Sequence, residues 1–200
     1  MGNHRIGLAG YATVISRQRL NIVDLAGQPE RFLKVAAKLL VEDFDAPYGW
    51  PTFTRARDEL RRVIHDGFAR GAIDSDVLVG WIGGLPEYDG RVWELHPLIV
   101  QRDHRRRGVG RALVQAFEEE ARNRGACTVT LGTDDTSGMT SLADVDLYAD
   151  IPGHIRRLHD LGKSHPFLFY RKLGFVVTGV MPDANGPGKP DIFMSKRLSR

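Results

Sequence analysis

A single cysteine, Cys127, in a chain of 200 residues excludes an intramolecular disulfide and any metal site built from several thiolates. Long apolar runs are missing too, and no stretch approaches the length that spans a bilayer. The N-terminal stretch shows no signal-peptide core, and Met1-Gly2 lacks the Ser or Thr at position 6 that myristoylation favours. These absences predict a cytoplasmic protein with neither a membrane partner nor a metal. A net charge of only +3, with no extended basic-aromatic surface, argues against a nucleic-acid partner. Repeats and low-complexity tracts are also absent.

What is present reads as a soluble globular chain, with 42% hydrophobic and 26% charged residues and enough length for a sizeable core. The charge is unevenly spread. Arg102, Arg105, Arg106, Arg107 and Arg111 fall within ten residues, whereas residues 126–153 hold Asp134, Asp135, Asp144, Asp146 and Asp150 without one Lys or Arg. A compact basic site and a separate acidic lobe are suited to holding an anion and a cation at once.

Periodicity predicts a mixed α/β domain. Residues 1–19 read as a loose extension and residues 20–25 as a first strand. Phe32, Val35, Ala36, Leu39 and Leu40 recur at helical spacing over residues 29–44. Residues 46–51 form an aromatic loop, and a second helix is expected over 54–69 with Leu60, Val63, Ile64 and Phe68 facing inward. Strands are expected at 77–83 and 92–100, joined around Pro86-Glu87-Tyr88-Asp89-Gly90. A helix follows Gly108 with Glu118-Glu119-Glu120 outward and ends near Gly125. A strand at 127–132 is expected to bury the Cys127 thiol. Residues 134–164 are irregular, a length that marks function or an interface. A short helix at 165–173 and strands at 175–181 and 190–196 complete the chain.

The strongest local pattern is a strand, an arginine-rich turn at Arg105-Arg106-Arg107-Gly108-Val109-Gly110, and an amphipathic helix. A helix start presents unpaired N–H groups and the positive end of its dipole. Glycines let a phosphate reach those donors, and arginines add charge-assisted hydrogen bonds. Leu113 occupies the third glycine position of a dinucleotide fingerprint, and no Gly-Lys-Ser/Thr follows, so neither of those nucleotide loops fits. On the motif alone a diphosphate site and a solvated basic turn are equally consistent.

Trp93-Glu94-Leu95-His96-Pro97-Leu98 leads into that turn. Alternation puts Glu94 and His96 on one face and Trp93 and Leu95 on the other. Pro97 marks a bulge or splay, which frees backbone groups around Leu98. For His96 alone, an imidazole satisfied by neighbouring backbone is the plainer reading. A carboxylate on an apolar strand such as Glu94 is harder to account for without a function.

The cradle, matching Arg/Gln-x-x-Gly-x-Gly/Ala, and the segment Phe169-Tyr170-Arg171-Lys172-Leu173-Gly174-Phe175 resemble the GNAT superfamily of acetyl-CoA-dependent N-acetyltransferases. A narrower resemblance joins Gly80-Trp81-Ile82-Gly83, Trp93-Glu94-Leu95-His96-Pro97-Leu98, Leu131-Gly132-Thr133-Asp134-Asp135 and Asn185-Gly186-Pro187-Gly188-Lys189-Pro190-Asp191-Ile192. Together these motifs are similar to the aminoglycoside 6′-N-acetyltransferases of resistant bacteria, over residues 20–198. The turn Asp74-Ser75-Asp76 is shorter than that pattern.

The resemblance implies a GNAT fold over residues 20–200, with a mixed, mostly antiparallel sheet, a splayed central strand and flanking helices. It implies acetyl transfer from acetyl-CoA to the 6′-amine of an aminoglycoside by direct attack on the thioester. Glu94 is then the general base, His96 an orienter or part of the proton path, the Leu98 N–H the oxyanion donor, and Tyr170 the group beside the departing thiolate. Leu98, Ile99, Val100, Arg105, Arg106, Arg107, Gly108, Val109, Gly110, Arg111 and Tyr170 are expected to hold coenzyme A. Trp50, Tyr88, Glu94, Asp134, Asp135 and Asp150 are expected to contact the cationic sugar. A homodimer is also implied. Another amine acceptor (a polyamine, a lysine or a protein N-terminus) and a non-enzymatic acyl-CoA sensor remain open alternatives at this point.

Overall fold

The computed structural model describes residues 20–44 and 49–198. The expected extension at 1–19 and the loop residues Ala46, Pro47 and Tyr48 lie outside them. Among the described residues seven strands form one sheet: β1 Asn21–Asp24, β2 Phe68–Asp74, β3 Val77–Glu87, β4 Val92–Val100, β5 Thr128–Asp134, β6 Val176–Met181 and β7 Asp191–Arg197. Their order is β1-β2-β3-β4-β5-β7-β6. Every neighbouring pair is antiparallel except β4 and β5, which matches the expected mixed, mostly antiparallel sheet.

Helices cover both faces. On one side lie α1 Glu30–Asp43 and α2 Phe53–Asp66, whose stripes Phe32, Ala36, Leu40 and Ala56, Leu60, Val63 bury Trp81 and Ile99. The Trp81 indole N–H donates to the Ala36 carbonyl at 3.0 Å, tying β3 to α1. On the other side α3 Val109–Asn123 and α5 Phe167–Lys172 pack Leu113, Phe117 and Phe167 against Trp93, Leu95 and Val129. A one-and-a-half-turn helix, α4 Ile151–Arg156, sits in the acidic lobe. Among the described residues no helix is long and apolar enough to cross a membrane.

Three expectations are corrected. The helix expected to reach residue 69 stops at Asp66, because Gly67 leaves the helical region at φ −146° and ψ −113°, and its lack of a Cβ admits the Gly84 carbonyl oxygen at this close crossing. Phe68 therefore opens β2, where its ring packs 5.0 Å from Trp93 and 5.6 Å from Phe117. Glu118 does not face outward: it is 5% exposed and accepts from Lys196 Nζ at 2.7 and 2.9 Å, a partner supplied by β7. Cys127 is exposed rather than buried, since it lies in the turn before β5 pairing begins at Thr128.

Strand β4 contains the irregularity that matters most. Ile82 pairs with Leu98 and Gly84 with Leu95, so Gly83 alone opposes His96 and Pro97. This extra residue reverses which face each parity occupies. Leu85 packs on the α1–α2 side and pairs with Glu94, so Glu94 and His96 face α2, whereas Leu98 and Val100 pack on the α3 side. On its other edge β4 pairs with β5 only from Val92 to Glu94, ending at Glu94–Thr130. Beyond that point the two parallel strands part, which is the splay that Pro97 suggested.

Candidate active site

The α2-facing side of the gap gathers acidic groups from three strands. Glu94 pairs with Thr130, and alternation along β5 puts Thr130, Gly132 and Asp134 on the same face. Asp191 is the ladder partner of Asp134, and its carboxylate reaches back over Gly132. Asp134 accepts from the Asn185 side-chain amide at 2.6 Å. Asp191 Oδ1 is buried with no hydrogen-bond partner among the described residues. Burial and the facing Asp134 charge push the Asp191 carboxyl up to about 6, with Glu94 adding to the push. Burial likewise raises Glu94 above the ordinary carboxylate range; His96 and Arg62 oppose this, and Glu87 and Glu59 add to it.

His96 is held from two sides. Its Nε2 lies 3.1 Å from Glu59 Oε1 on α2, and Trp50 stands edge-on to the imidazole at 5.8 Å. Trp50 in turn packs edge-on against Phe44 at 5.1 Å, so its indole lies between Phe44 and His96. Tyr88 is 75% exposed in the short turn between β3 and β4, beside Glu87. The ring is therefore accessible from solvent at the edge nearest the start of β4.

In the acidic lobe several carboxylates bond to nearby backbone N–H groups. Asp135 is completely buried, and its two oxygens accept from the backbone N–H groups of Met139 at 2.6 Å and Thr140 at 2.7 Å. It builds the loop and is not presented to the cleft. Asp150 caps α4 by accepting from Gly153 N–H at 2.9 Å and pairs with Arg157 at 3.6 Å. Asp146 caps Tyr148 in the same manner. Short acidic side chains in this lobe replace regular backbone pairing, an ordinary role for Asp in irregular loops. Asp134 remains in the cleft, and Asp191, which sequence reasoning quoted without assigning a role, joins it.

The opposite side of the gap carries the cradle. Gly108 has φ of 89° and precedes α3, a left-handed conformation that suits glycine, and no atom lies within 4 Å of where a Cβ would stand. The first helical bond runs from Ala112 N–H to the Gly108 carbonyl, so the N–H groups of Val109, Gly110 and Arg111 precede the ladder and have no partner within it. Arg106, Arg107 and Arg111 are exposed around them. Arg105 plays another part: its Nε donates to the Val100 carbonyl at 2.9 Å, and its guanidinium pairs with Asp43 of α1. That arginine braces the turn. The open glycine corner, three N–H donors and flanking guanidinium groups fit a diphosphate such as that of coenzyme A.

The α5 segment closes this side. A Cβ on Gly110 would lie 3.3 Å from the Phe169 ring and 3.8 Å from Val100, so α5 abuts both the helix start and the end of β4. Tyr170 stacks edge-on with Phe169 at 5.1 Å and Phe175 at 5.7 Å. Burial drives its phenol well above the ordinary tyrosine range, so the hydroxyl stays protonated. Gln101 N–H donates to Val79 of β3 at 2.9 Å. Antiparallel alternation then turns the Ile99 N–H toward β3 and those of Leu98 and Val100 toward the gap. Ile99 itself is buried under α1, beside a cavity of about 430 Å³ lined by Leu39, Asp43, Gln101 and Arg102 at the far end of β4 from Glu94.

Two half-sites thus lie on opposite faces of one sheet and communicate where β4 leaves β5. The acetyltransferase (GNAT) family model matches residues 33–144. No curated protein matches the chain. An aminoglycoside 6′-N-acetyltransferase crystallised with coenzyme A is 35% identical, with 90% of this chain and 98% of that one covered and a TM-score of 0.84. The aminoglycoside 6′-N-acetyltransferase from Enterococcus faecium is 34% identical over 90% of this chain and 98% of its own, with a TM-score of 0.82. An aminoglycoside 6′-acetyltransferase of type Ii is 32% identical over the same shares, with a TM-score of 0.68. With a cradle, a splayed β4 and a family match over more than half its length, this chain belongs to the GNAT acetyltransferase family.

Proposed function

We propose that this protein transfers the acetyl group of acetyl-CoA to the 6′-amine of aminoglycoside antibiotics by direct attack of the amine on the thioester, and thereby confers resistance. The observation that carries this reading is the meeting of Glu94, Asp134 and Asp191 on one face of the gap with the arginine–glycine cradle on the other. A polycationic sugar matches the first, and the diphosphate of coenzyme A matches the second. The similarity to three aminoglycoside acetyltransferases supports the same acceptor.

Acetyl-CoA supplies the activated acyl group; the chain supplies binding, proton transfer and charge stabilisation. Val109, Gly110 and Arg111 N–H groups, with Arg106 and Arg107, would hold the diphosphate. Asp134 and Asp191 attract and orient the ammonium groups of the acceptor. Glu94 removes a proton from the reacting ammonium, because a protonated nitrogen has no lone pair with which to attack. The Leu98 N–H, turned into the gap, donates to the carbonyl oxygen as it gains charge. Tyr170, protonated by virtue of its burial, hydrogen-bonds or protonates the departing sulfur. Trp50 and Tyr88 border the acceptor face.

Exposed Val176 and Met181 on the edge strand β6 support a homodimer, and reliance on acetyl-CoA supports a cytoplasmic location. The test of the central reading is acetyl-CoA consumption with kanamycin or tobramycin. Turnover is expected with at least one; none with either, in a folded protein that binds acetyl-CoA, overturns it. Faster turnover with polyamines or peptides would move the acceptor to another amine.

A further inference from the structure

Glu59 lies on α2, 37 residues from His96 in sequence, and has no role in the proton transfer described above. Its side chain is 16% exposed, and the carboxylate sits between Arg62 and His96. Arg62 Nη2 and Nε donate to its oxygens at 2.6 and 3.1 Å, and His96 Nε2 approaches Oε1 at 3.1 Å. Burial pushes the Glu59 carboxyl up, but the hydrogen bond and charge of Arg62, with His96, outweigh it and hold the group below its ordinary range. Glu59 is therefore an ionised acceptor at neutral pH and has no proton to donate. The hydrogen atom in the contact with His96 must come from the imidazole.

That requirement selects a tautomer. In a neutral imidazole one nitrogen carries the proton and the other the lone pair, and the partner of the first decides which is which. Trp50, packed edge-on at 5.8 Å, limits how far the ring can swing from Glu59. His96 and Glu94 lie two residues apart on one face of β4, close enough for a positive charge on His96, when it is protonated, to act on Glu94. The other charged groups that act on Glu94 are Arg62 and Glu59 on α2 and Glu87 at the end of β3, and Glu94 in turn acts on Asp191 of β7.

We propose that Glu59 is a positioning residue that holds His96 as the Nε2–H tautomer, leaving Nδ1 as the nitrogen able to take the proton that Glu94 collects from the acceptor amine. This rests on the acetyl-transfer reading above. In that step the acceptor ammonium loses one proton, and its nitrogen keeps the bonding pair for attack. The Glu94 carboxylate receives the proton and passes it to Nδ1, which regenerates the carboxylate. The imidazolium so formed keeps its Nε2–H bond to Glu59 and releases the Nδ1 proton to solvent through its partly exposed edge.

The test joins a spectroscopic and a kinetic readout. Proton–nitrogen correlation spectra of the full-length 15N-labelled protein, with His96 assigned by its loss in His96→Gln, are expected to show protonation at Nε2. In Glu59→Gln the amide can also donate, so the spectra are expected to show a mixture of tautomers. In the same variant kcat is expected to fall about tenfold while KM for acetyl-CoA changes less than about twofold. In a His96→Gln background, Glu59→Gln is expected to change kcat by less than about twofold, because its effect passes through the imidazole. An Nδ1–H tautomer in the unsubstituted protein overturns the proposal, as does an undiminished effect of Glu59→Gln when His96 is absent. The spectra need no substrate, so they decide the role of Glu59 even if aminoglycosides prove not to be acceptors, an outcome read separately from turnover by the unsubstituted enzyme.

Discussion

Asp191 faces Asp134 across the β5–β7 ladder, with one carboxylate oxygen shut away from solvent and without a hydrogen-bond partner among the described residues. Such an arrangement costs stability in the free protein and favours binding a cation. The folded carboxyl is pushed up to about 6 from 3.8. Its contribution to stability is therefore fully present below the unfolded value and is lost as pH rises through about 6. Asp191→Asn is expected to raise Tm at pH 8 by roughly 3–6 °C, from about 1–2 kcal/mol after discounting for partial exposure, and to change it little at pH 4. The same variant is expected to raise KM for the aminoglycoside about tenfold. Thermal melts at the two pH values and steady-state kinetics check both halves.

Removing the carboxylate of Glu94 is expected to strike turnover rather than cofactor binding. Glu94→Gln should lower kcat by about 100-fold or more while leaving acetyl-CoA affinity, measured by calorimetry, unchanged. Because burial raises this carboxyl, the acid limb of kcat/KM is expected above the ordinary carboxylate range. Activity falls as pH drops through that limb, since the protonated carboxyl can no longer accept a proton. An unaltered rate in Glu94→Gln would remove Glu94 from the base role.

Tyr170 offers a cleaner separation of chemistry from packing. Its ring lies between Phe169 and Phe175, contacts that Tyr170→Phe retains. The variant is expected to keep a near-normal Tm and to lose about tenfold in kcat for want of a proton donor at sulfur. With the phenol held well above its ordinary range, no loss of activity from its ionisation is expected up to about pH 10. A pH–rate profile of both proteins tests this.

The pairing of Glu118 with Lys196 ties α3 to β7 beneath the cradle helix. Glu118→Ala would leave a part-buried ammonium without its carboxylate. The expected cost is about 2 kcal/mol, or roughly 4–8 °C in Tm for a chain of this size. Activity per folded molecule should be preserved. Differential scanning calorimetry alongside active-site titration measures the two separately.

Several features were legible in the residues themselves. The start of α3 at Gly108–Val109 followed from an arginine turn, a glycine and an apolar helical stripe that any tertiary context would respect. The alternation of Glu94 and His96 against Trp93 and Leu95 was equally local, and Pro97 announced the irregularity of β4. Strand β2 was not legible. Phe68-Ala69-Arg70-Gly71 lacks alternation because both faces are covered, and Phe68 continues the helical phase of α2. Glu118 sits in a run of three glutamates, and its burial depends on Lys196, 78 residues away.

The acidic lobe shows the same division. Sequence alone determined that carboxylates are concentrated there and that the chain is irregular. Folding decided that Asp135, Asp146 and Asp150 serve backbone N–H groups, because a loop without ladders must find acceptors nearby. Only the tertiary structure put Asp191 opposite Asp134, and Glu59 against His96, since each pair is joined across strands or helices far apart in the chain. The cradle and the reactive strand were thus written locally, in glycine conformation, helix polarity and strand alternation. The proposed cation site at Asp134 and Asp191 and the contact of Glu59 with His96 depend on electrostatic contacts that exist only once the sheet has closed around them.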